Sequence, residues 1–144
     1  MKNLDKIKEK FKDKLENIHI HNQRRIYIDL KDKKDIKEVA KFLFYDLSMR
    51  FNIASGVDTR SFIEILYHFS SDDTGEIISI RVKIDKSNPE IESIALVFKA
   101  AEWIEREIYE LLGIQFKGHP DLRRLLLSDD WPKDKFPLRH EDKK

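Results

Sequence analysis

Two runs in which apolar and polar residues alternate, "SFIEILYHF" at 61–69 and "IISIRVKI" at 77–84, flank the turn-forming cluster Ser71-Asp72-Asp73-Thr74-Gly75. A β-strand sends successive side chains to opposite faces, so Ile78, Ile80, Val82 and Ile84 share one face while Ser79, Arg81 and Lys83 share the other. The polar cluster between the runs predicts an antiparallel hairpin with one buried and one wet face. Such a sheet needs a cover of helices on one side only, which points to an α+β domain.

The flanking sequence supplies that cover. Leu4, Ile7, Phe11, Leu15 and Ile18 recur at spacings of three and four and predict an opening amphipathic helix. Residues 1–20 hold six lysines against four acids, so its polar side reads as a solvated face rather than a nucleic-acid arm. "RRIYIDLK" predicts a strand with Ile26, Ile28 and Leu30 on one face. Asp32 is placed to cap a second helix, whose stripe runs through Ile36, Val39, Ala40, Leu43, Phe44 and Leu47, with Asp35 in its first turn. A short β signal follows from Phe51 to Val57. After the hairpin, "DKSNPEIES" reads as a loop in which Pro89 and Ser93 mark a break and a possible cap, and "KAAEWIEREIYELLG" returns to helical period through Ile104, Ile108, Leu111 and Leu112 until Gly113 stops it. The expected fold is α+β, a small mixed or antiparallel sheet with helices packed on one face. An α+β domain at 1–113 is followed by an extended C-terminal arm at 114–144.

Several function classes fall away on composition. The 28 basic and 27 acidic side chains nearly cancel, so no general field gathers phosphate backbones or an anionic membrane. The absence of cysteine excludes disulfides and thiolate-held clusters from this chain. With only four glycines and no Gly-x-Gly-x-x-Gly or Gly-Lys-Ser/Thr pattern, neither a dinucleotide fold nor a phosphate loop has local support. No apolar run long enough to cross a bilayer occurs, and the N-terminus lacks the apolar core of a signal peptide.

What remains is the segment "GIQFKGHPDLRRLLLSDDW" at 113–131. His119, Asp121, Asp129 and Asp130 are residue types that acid/base chemistry or a metal would use, so one reading is a small autonomous hydrolase working through His119 with Asp121 or Asp129. No second histidine or helical carboxylate–histidine pair stands at ligand spacing from His119, and backbone hydrogen bonding is the plainer role for it. On the last helix Arg106 lies one turn from both Glu102 and Glu110, which predicts a charge ladder along the helix or, alternatively, an arginine presented to another subunit. Residues 114–144 intersperse Phe116, Leu122, Leu125, Leu126, Leu127, Trp131, Phe136 and Leu138 with Pro120, Pro132 and Pro137, which forbid a long helix. These apolar groups need a cover, either a partner surface or the domain itself.

The run "AEWIEREIYELLGIQFKGHPDLRRLLLSDDW" followed by "FPLRHE" resembles the signature of the 30 kDa-type subunit of respiratory complex I, the NADH-quinone oxidoreductase. The residues that carry the likeness are Trp103, Glu105-Arg106-Glu107, Tyr109, Gly113, Phe116, Gly118-His119-Pro120-Asp121, Arg123-Arg124, Asp129-Asp130-Trp131 and Pro137-Leu138-Arg139, joined upstream by "SGVDTRSFIEILYHF". The chain departs from the family's pattern at Glu102, at Glu110 and in its ending "DKFPLRHED". Its short length is similar to homologues in membrane-bound, energy-converting nickel–iron hydrogenases and in ferredoxin- or F(420)-linked complexes. The resemblance implies a non-catalytic subunit with no cofactor and no metal of its own. It would dock beside the 49 kDa-type large subunit and a cluster-bearing neighbour such as the small subunit, on the cytoplasmic side of the membrane and bound to it only through the complex. Iron–sulfur clusters, and nickel–iron, flavin or quinone where present, would belong to the partners. The resemblance further implies that the signature residues form the subunit interface, with the arm running over the partner, mobile or packed on a neighbouring copy when the chain is alone.

Overall fold

The structure is a computed structural model that describes residues 2–127, 130–132 and 135–139. Helix α1 (Lys2–Phe11) leads through a single 3-10 turn into β1 (Leu15–Ile20) and β2 (Arg25–Leu30). A 3-10 turn, α2 (Ile36–Lys41) and a π-helical turn at Phe42–Asp46 form one continuous helical segment, followed by β3 (Arg50–Asp58), β4 (Ile63–Ser70) and β5 (Ile77–Ile84). The chain closes with β6 (Glu90–Glu92), α3 (Ala101–Leu112) and β7 (Gln115–Lys117).

Five strands form one mixed sheet in the order β1-β2-β5-β4-β3, in which only β2 and β5 run parallel. The hairpin has the expected register, Ser70 opposite Ile77 through Ile63 opposite Ile84, and its turn carries Gly75 at φ 76. Along β4 and β5 the alternation sorts the faces: Ile63, Ile65, Tyr67 and Phe69, with Ile78, Ile80, Val82 and Ile84, are wholly buried. On the open face Arg81 sits between Asp29 at 3.1 Å and Glu64 at 3.0 Å, with Tyr27 beneath its guanidinium. Asp32 caps the turn before α2 by accepting the Lys34 N–H at 2.9 Å. Phe44, Phe51, Phe69 and Phe98 meet ring to ring at the seam between α2, the sheet and the loop before α3.

Three expectations need correction. The opening helix stops at Phe11, and Leu15 and Ile18 belong to an edge strand that pairs with β2, because their spacing fits a strand as well as a helix. Phe44 is left partly exposed where the helical segment widens into its π turn. The core also continues past residue 113: Ile114 and Phe116 are buried and β7 pairs in parallel with β6 in a second, two-stranded sheet. Each of these strands has three residues, too few for a periodic signal.

Helix α3 lies on the covered face of β3, and a glycine sets the distance. A Cβ at Gly56 would come within 2.5 Å of Leu112 Cδ1 and 3.4 Å of Ile108 Cγ2. Only a bare Cα lets the helix approach the strand this closely. Gly56→Val is therefore expected to destabilise the domain by about 1–3 kcal/mol in urea unfolding, through overpacking under α3.

Candidate functional site

Helix α3 and the segment that returns over it hold most of the signature residues. The helix starts after Ala100, not at Ser93, and ends where Gly113 adopts φ 77 and donates its N–H to the Tyr109 carbonyl at 2.9 Å. A Cβ on Gly113 would lie 2.6 Å from the Phe136 ring, so glycine serves both the left-handed turn and the packing of the arm. The inward stripe is Ala101, Glu105, Ile108 and Leu112, which puts a carboxylate at a core position of the helical period.

Glu105 is 1% exposed and holds the loop before α3. It accepts the Ser93 hydroxyl at 2.5 Å and the Ile94 N–H at 2.9 Å, and Ser93 Oγ in turn accepts the Ala95 N–H at 3.0 Å. Burial pushes its pKa up to about 7, opposed by these hydrogen bonds. Tyr67 lies beneath it, and burial reinforced by the Glu105 charge holds the phenol well above its ordinary range.

His119 is enclosed beside this carboxylate, its Nε2 4.0 Å from Glu105 Oε1. Its Nδ1 accepts the Asp121 N–H at 2.9 Å, so the proton sits on Nε2, which donates to the Glu102 carbonyl at 2.8 Å. Both ring nitrogens are thus committed to backbone, which leaves no lone pair for a general base or a metal. Asp121 faces away and pairs with Arg123 at 2.8 Å, and that guanidinium holds its carboxyl below the usual range. These partners remove the support for the hydrolase reading. Asp129 lies outside the described residues, and Asp130 is exposed. Among the described residues no three histidine, aspartate or glutamate side chains come together as metal ligands.

The remaining charges of α3 bind the arm. Arg106, 6% exposed, donates through Nε to the Arg123 carbonyl at 3.0 Å and through Nη2 to the Arg124 carbonyl at 2.8 Å. Glu110 accepts the Leu125 N–H at 2.7 Å, the Leu126 N–H at 2.7 and 3.0 Å, and the Leu127 N–H. Burial acts to raise its pKa, but the three N–H groups with Arg124 nearby outweigh it, and the carboxyl stays below its ordinary value. The ladder expected along the helix is replaced, because main-chain groups of a segment without regular structure need side-chain partners. Nor is the arm free: Gly118, at φ 83, and Pro120 turn the chain, and the described part of the arm folds back on its own helix. Leu138 N–H reaches the Leu111 carbonyl at 2.9 Å and Arg139 the Leu112 carbonyl at 3.0 Å, which caps the C-terminus of α3. Arg124 donates to the Trp131 carbonyl, and Trp131 Nε1 to the Lys135 carbonyl at 2.8 Å.

The other signature residues divide by exposure. Phe116 is core, Tyr109 is half-buried, and Glu107, Pro120 and Pro137 are exposed. Trp103 is 65% exposed, and Leu126 at 67%, Leu138 at 47% and Trp131 at 37% also face solvent. Ser93, Tyr67 and the backbone of residues 125–127 join the site although sequence reasoning does not single them out as members of it. The available hint is Glu105 falling on the same stripe as Ala101 and Ile108.

Because the folded pKa of Glu105 is raised, its contribution to stability is full below about pH 4.5 and is lost as pH rises through about 7. Glu105→Gln should remove this dependence, so that the stability gap between variant and wild type shifts by up to about 3 kcal/mol between pH 4.5 and 8 in urea melts. Glu110→Ala strands three N–H groups and should speed amide exchange of residues 125–127 at least about tenfold, while β4 and β5 stay protected.

The profile of the family described as "Respiratory-chain NADH dehydrogenase, 30 Kd subunit" matches residues 30–143. One subunit of the F(420)H(2) dehydrogenase of Methanosarcina mazei is 41% identical over 126 residues, covering 80% of this chain and 78% of that protein. One subunit of the NADH-quinone oxidoreductase of Chloroherpeton thalassium is 34% identical over 142 residues, covering 95% of this chain and 58% of that one. Among solved structures, a chain of the membrane-bound sulfane sulfur reductase, an archaeal respiratory membrane complex, superposes with a TM-score of 0.83 at 20% identity. That superposition covers 96% of this chain and 82% of the other and shows a shared fold. The mixed sheet, the helix α3 that carries the signature and the extent of these matches lead to one conclusion: the chain belongs to the 30 kDa subunit family of the respiratory-chain NADH dehydrogenases.

Proposed function

We propose that this chain is a cofactor-free subunit of the peripheral arm of an ion-translocating membrane redox complex, of the NADH-quinone oxidoreductase or energy-converting hydrogenase kind. It docks beside the 49 kDa-type large subunit and a cluster-bearing neighbour, and serves assembly and electron transfer by holding that arm in shape. The observation that carries this is the clasp between α3 and the arm: the buried charges Arg106 and Glu110 organise the chain's own backbone, while Trp103, Trp131, Leu126 and Leu138 face solvent. Trp103, Trp131, Leu126 and Leu138 then have the character of interface anchors on a rigid support. No helix among the described residues is long and apolar enough to cross a membrane, so membrane contact runs through the complex. The cytoplasmic side follows from the same family reading.

Two measurements test this. Purified alone, the chain should carry no stoichiometric iron or flavin and show no turnover. Trp131→Ala should shift the domain's own melting by less than about 1 kcal/mol yet weaken co-purification with the large subunit by on the order of 2 kcal/mol or more. Collapse of the melt, with assembly lost only through unfolding, would place Trp131 in the domain's core instead.

A further inference from the structure

The open face of the sheet, on the side away from α3, is charged unevenly along its strands. Pairing sets His19, Tyr27, Ser79 and His68 in one row across β1, β2, β5 and β4, and puts Arg25 level with Ile77 and Ser70 in the row beyond. His21 joins that end by donating its N–H to the Arg25 carbonyl at 3.0 Å, and the His19 ring lies 6.1 Å from both His21 and Tyr27. Neither row holds a carboxylate; Asp29 and Glu64 stand further along β2 and β4 and are taken up by Arg81. At the tip of the β1-β2 hairpin, Asn22, Gln23, Arg24, Arg25 and Ile77 line a cleft of about 480 Å³. Asn22 Oδ1 accepts the N–H groups of Arg24 at 2.8 Å and Arg25 at 2.9 Å, and Arg24 Nε donates to the Gly75 carbonyl at 3.4 Å. Both guanidinium groups are left without a carboxylate among the described residues. In the adjoining β4-β5 turn Asp72 is paired with Arg50 at 2.5 Å, Glu76 is buried against Asn3, and Asp73 pairs with neither arginine.

Two arginines and three of the chain's five histidines thus share one end of a face that supplies no counter-charge. The charge of Arg25 reaches inward: partial burial, and after it this guanidinium, hold the His68 imidazole below its ordinary range, where Nδ1 lies 2.7 Å from Ser79 Oγ and Nε2 3.3 Å from Ser55 Oγ. The cations are arginine in a chain whose basic residues are mostly lysine, and Tyr27 lies among them; arginine and tyrosine are enriched at protein interfaces, where lysine is depleted. A forked guanidinium matches a carboxylate in geometry as well as charge. A long phosphate backbone is a poorer match, because the chain as a whole carries 28 basic against 27 acidic side chains and offers no extended field to hold one. The hairpin also precedes residue 30, where the match to the family profile begins, so the signature does not account for it. We propose that the open face around His21, Arg24 and Arg25 receives an acidic segment of a neighbouring protein subunit, whose aspartate or glutamate side chains meet the two guanidinium groups. The proposal rests on the subunit reading above and adds a contact on the face of the sheet opposite α3.

The test uses the assembled membrane complex. The double variant Arg24→Glu, Arg25→Glu changes only exposed side chains, so it should melt like wild type when isolated and be retained in the complex at least about tenfold less well. A second measurement does not depend on charge reversal. A water-soluble carbodiimide joins an amine to a carboxylate in direct contact, and Gln23→Lys places an amine in the cleft without removing either arginine. Mass spectrometry of the digest should find that amine joined to an aspartate or glutamate of another subunit. The proposal is overturned if the amine links only within its own chain or to a second copy of it while other inter-subunit links form, or if the charge-reversed variant folds and is retained as wild type. Loss of retention that nuclease treatment of the wild-type complex reproduces would assign the face to nucleic acid and overturn it equally. Any of these results, obtained with Trp131→Ala still weakening assembly, leaves the subunit reading standing, whereas a wild-type chain that never enters a complex removes both.

Discussion

A buried ion or main-chain polar group must be met by a partner, and in this fold two segments that each need partners meet one another's demand. Helix α3 puts Glu105, Arg106 and Glu110 out of water, and the segment after Gly118 has main-chain donors and acceptors with no strand or helix to pair them. Arg106 takes the carbonyls of Arg123 and Arg124, Glu110 takes the N–H groups of residues 125–127, and His119 joins the Glu102 carbonyl to the Asp121 N–H. Without the arm α3 would carry unpaired charges, and without α3 the arm would lose its path. The buried charges Arg106 and Glu110 thereby acquire an internal role, and Trp103 and Trp131 are left to face outward.

How far the fold could be read from the residues depended on how many periods each element spans. Strands β2, β4 and β5 have six or eight residues, and their apolar faces are buried as the alternation predicts, although Ser79, expected on the wet face of β5, is buried as well, with its hydroxyl 2.7 Å from His68 Nδ1. The capping role of Asp32 and the stop at Gly113 were legible because each rests on one local stereochemical requirement. Strand β1 was not, since Leu15 and Ile18 extend the helical spacing of α1 and only pairing with β2 decides between the two. Strands β6 and β7 are stabilised by each other and by the core around Ile91 and Phe116, a tertiary effect that no local pattern records.

The site was legible as a list of residues and much less as a geometry. Helical spacing placed Arg106 near Glu102 and Glu110, but it could not show that loop carbonyls and N–H groups would compete for the same side chains. His119 illustrates the same limit. The residue types around it suggest acid/base chemistry, and only the positions of the Asp121 N–H and the Glu102 carbonyl show an imidazole saturated on both sides. Ser93, a plausible helix cap by its position, turns out to bind the buried carboxylate twelve residues further on.

The sheet's single parallel pairing has a consequence for how the chain reaches its native state. Strand β2 finds its central neighbour β5 only after β3 and β4 have been made, with Arg25 opposite Ile77 and Asp29 opposite Arg81. Until then the first thirty residues have only the β1 hairpin and α1 with which to shield Ile26, Ile28 and Leu30. Closing a loop of about fifty residues before that pairing is rewarded makes this a high-contact-order step, and it belongs late in folding. During synthesis these N-terminal residues must therefore leave the ribosome with an apolar strand edge exposed, while the β3-β4-β5 meander can form from neighbours in sequence.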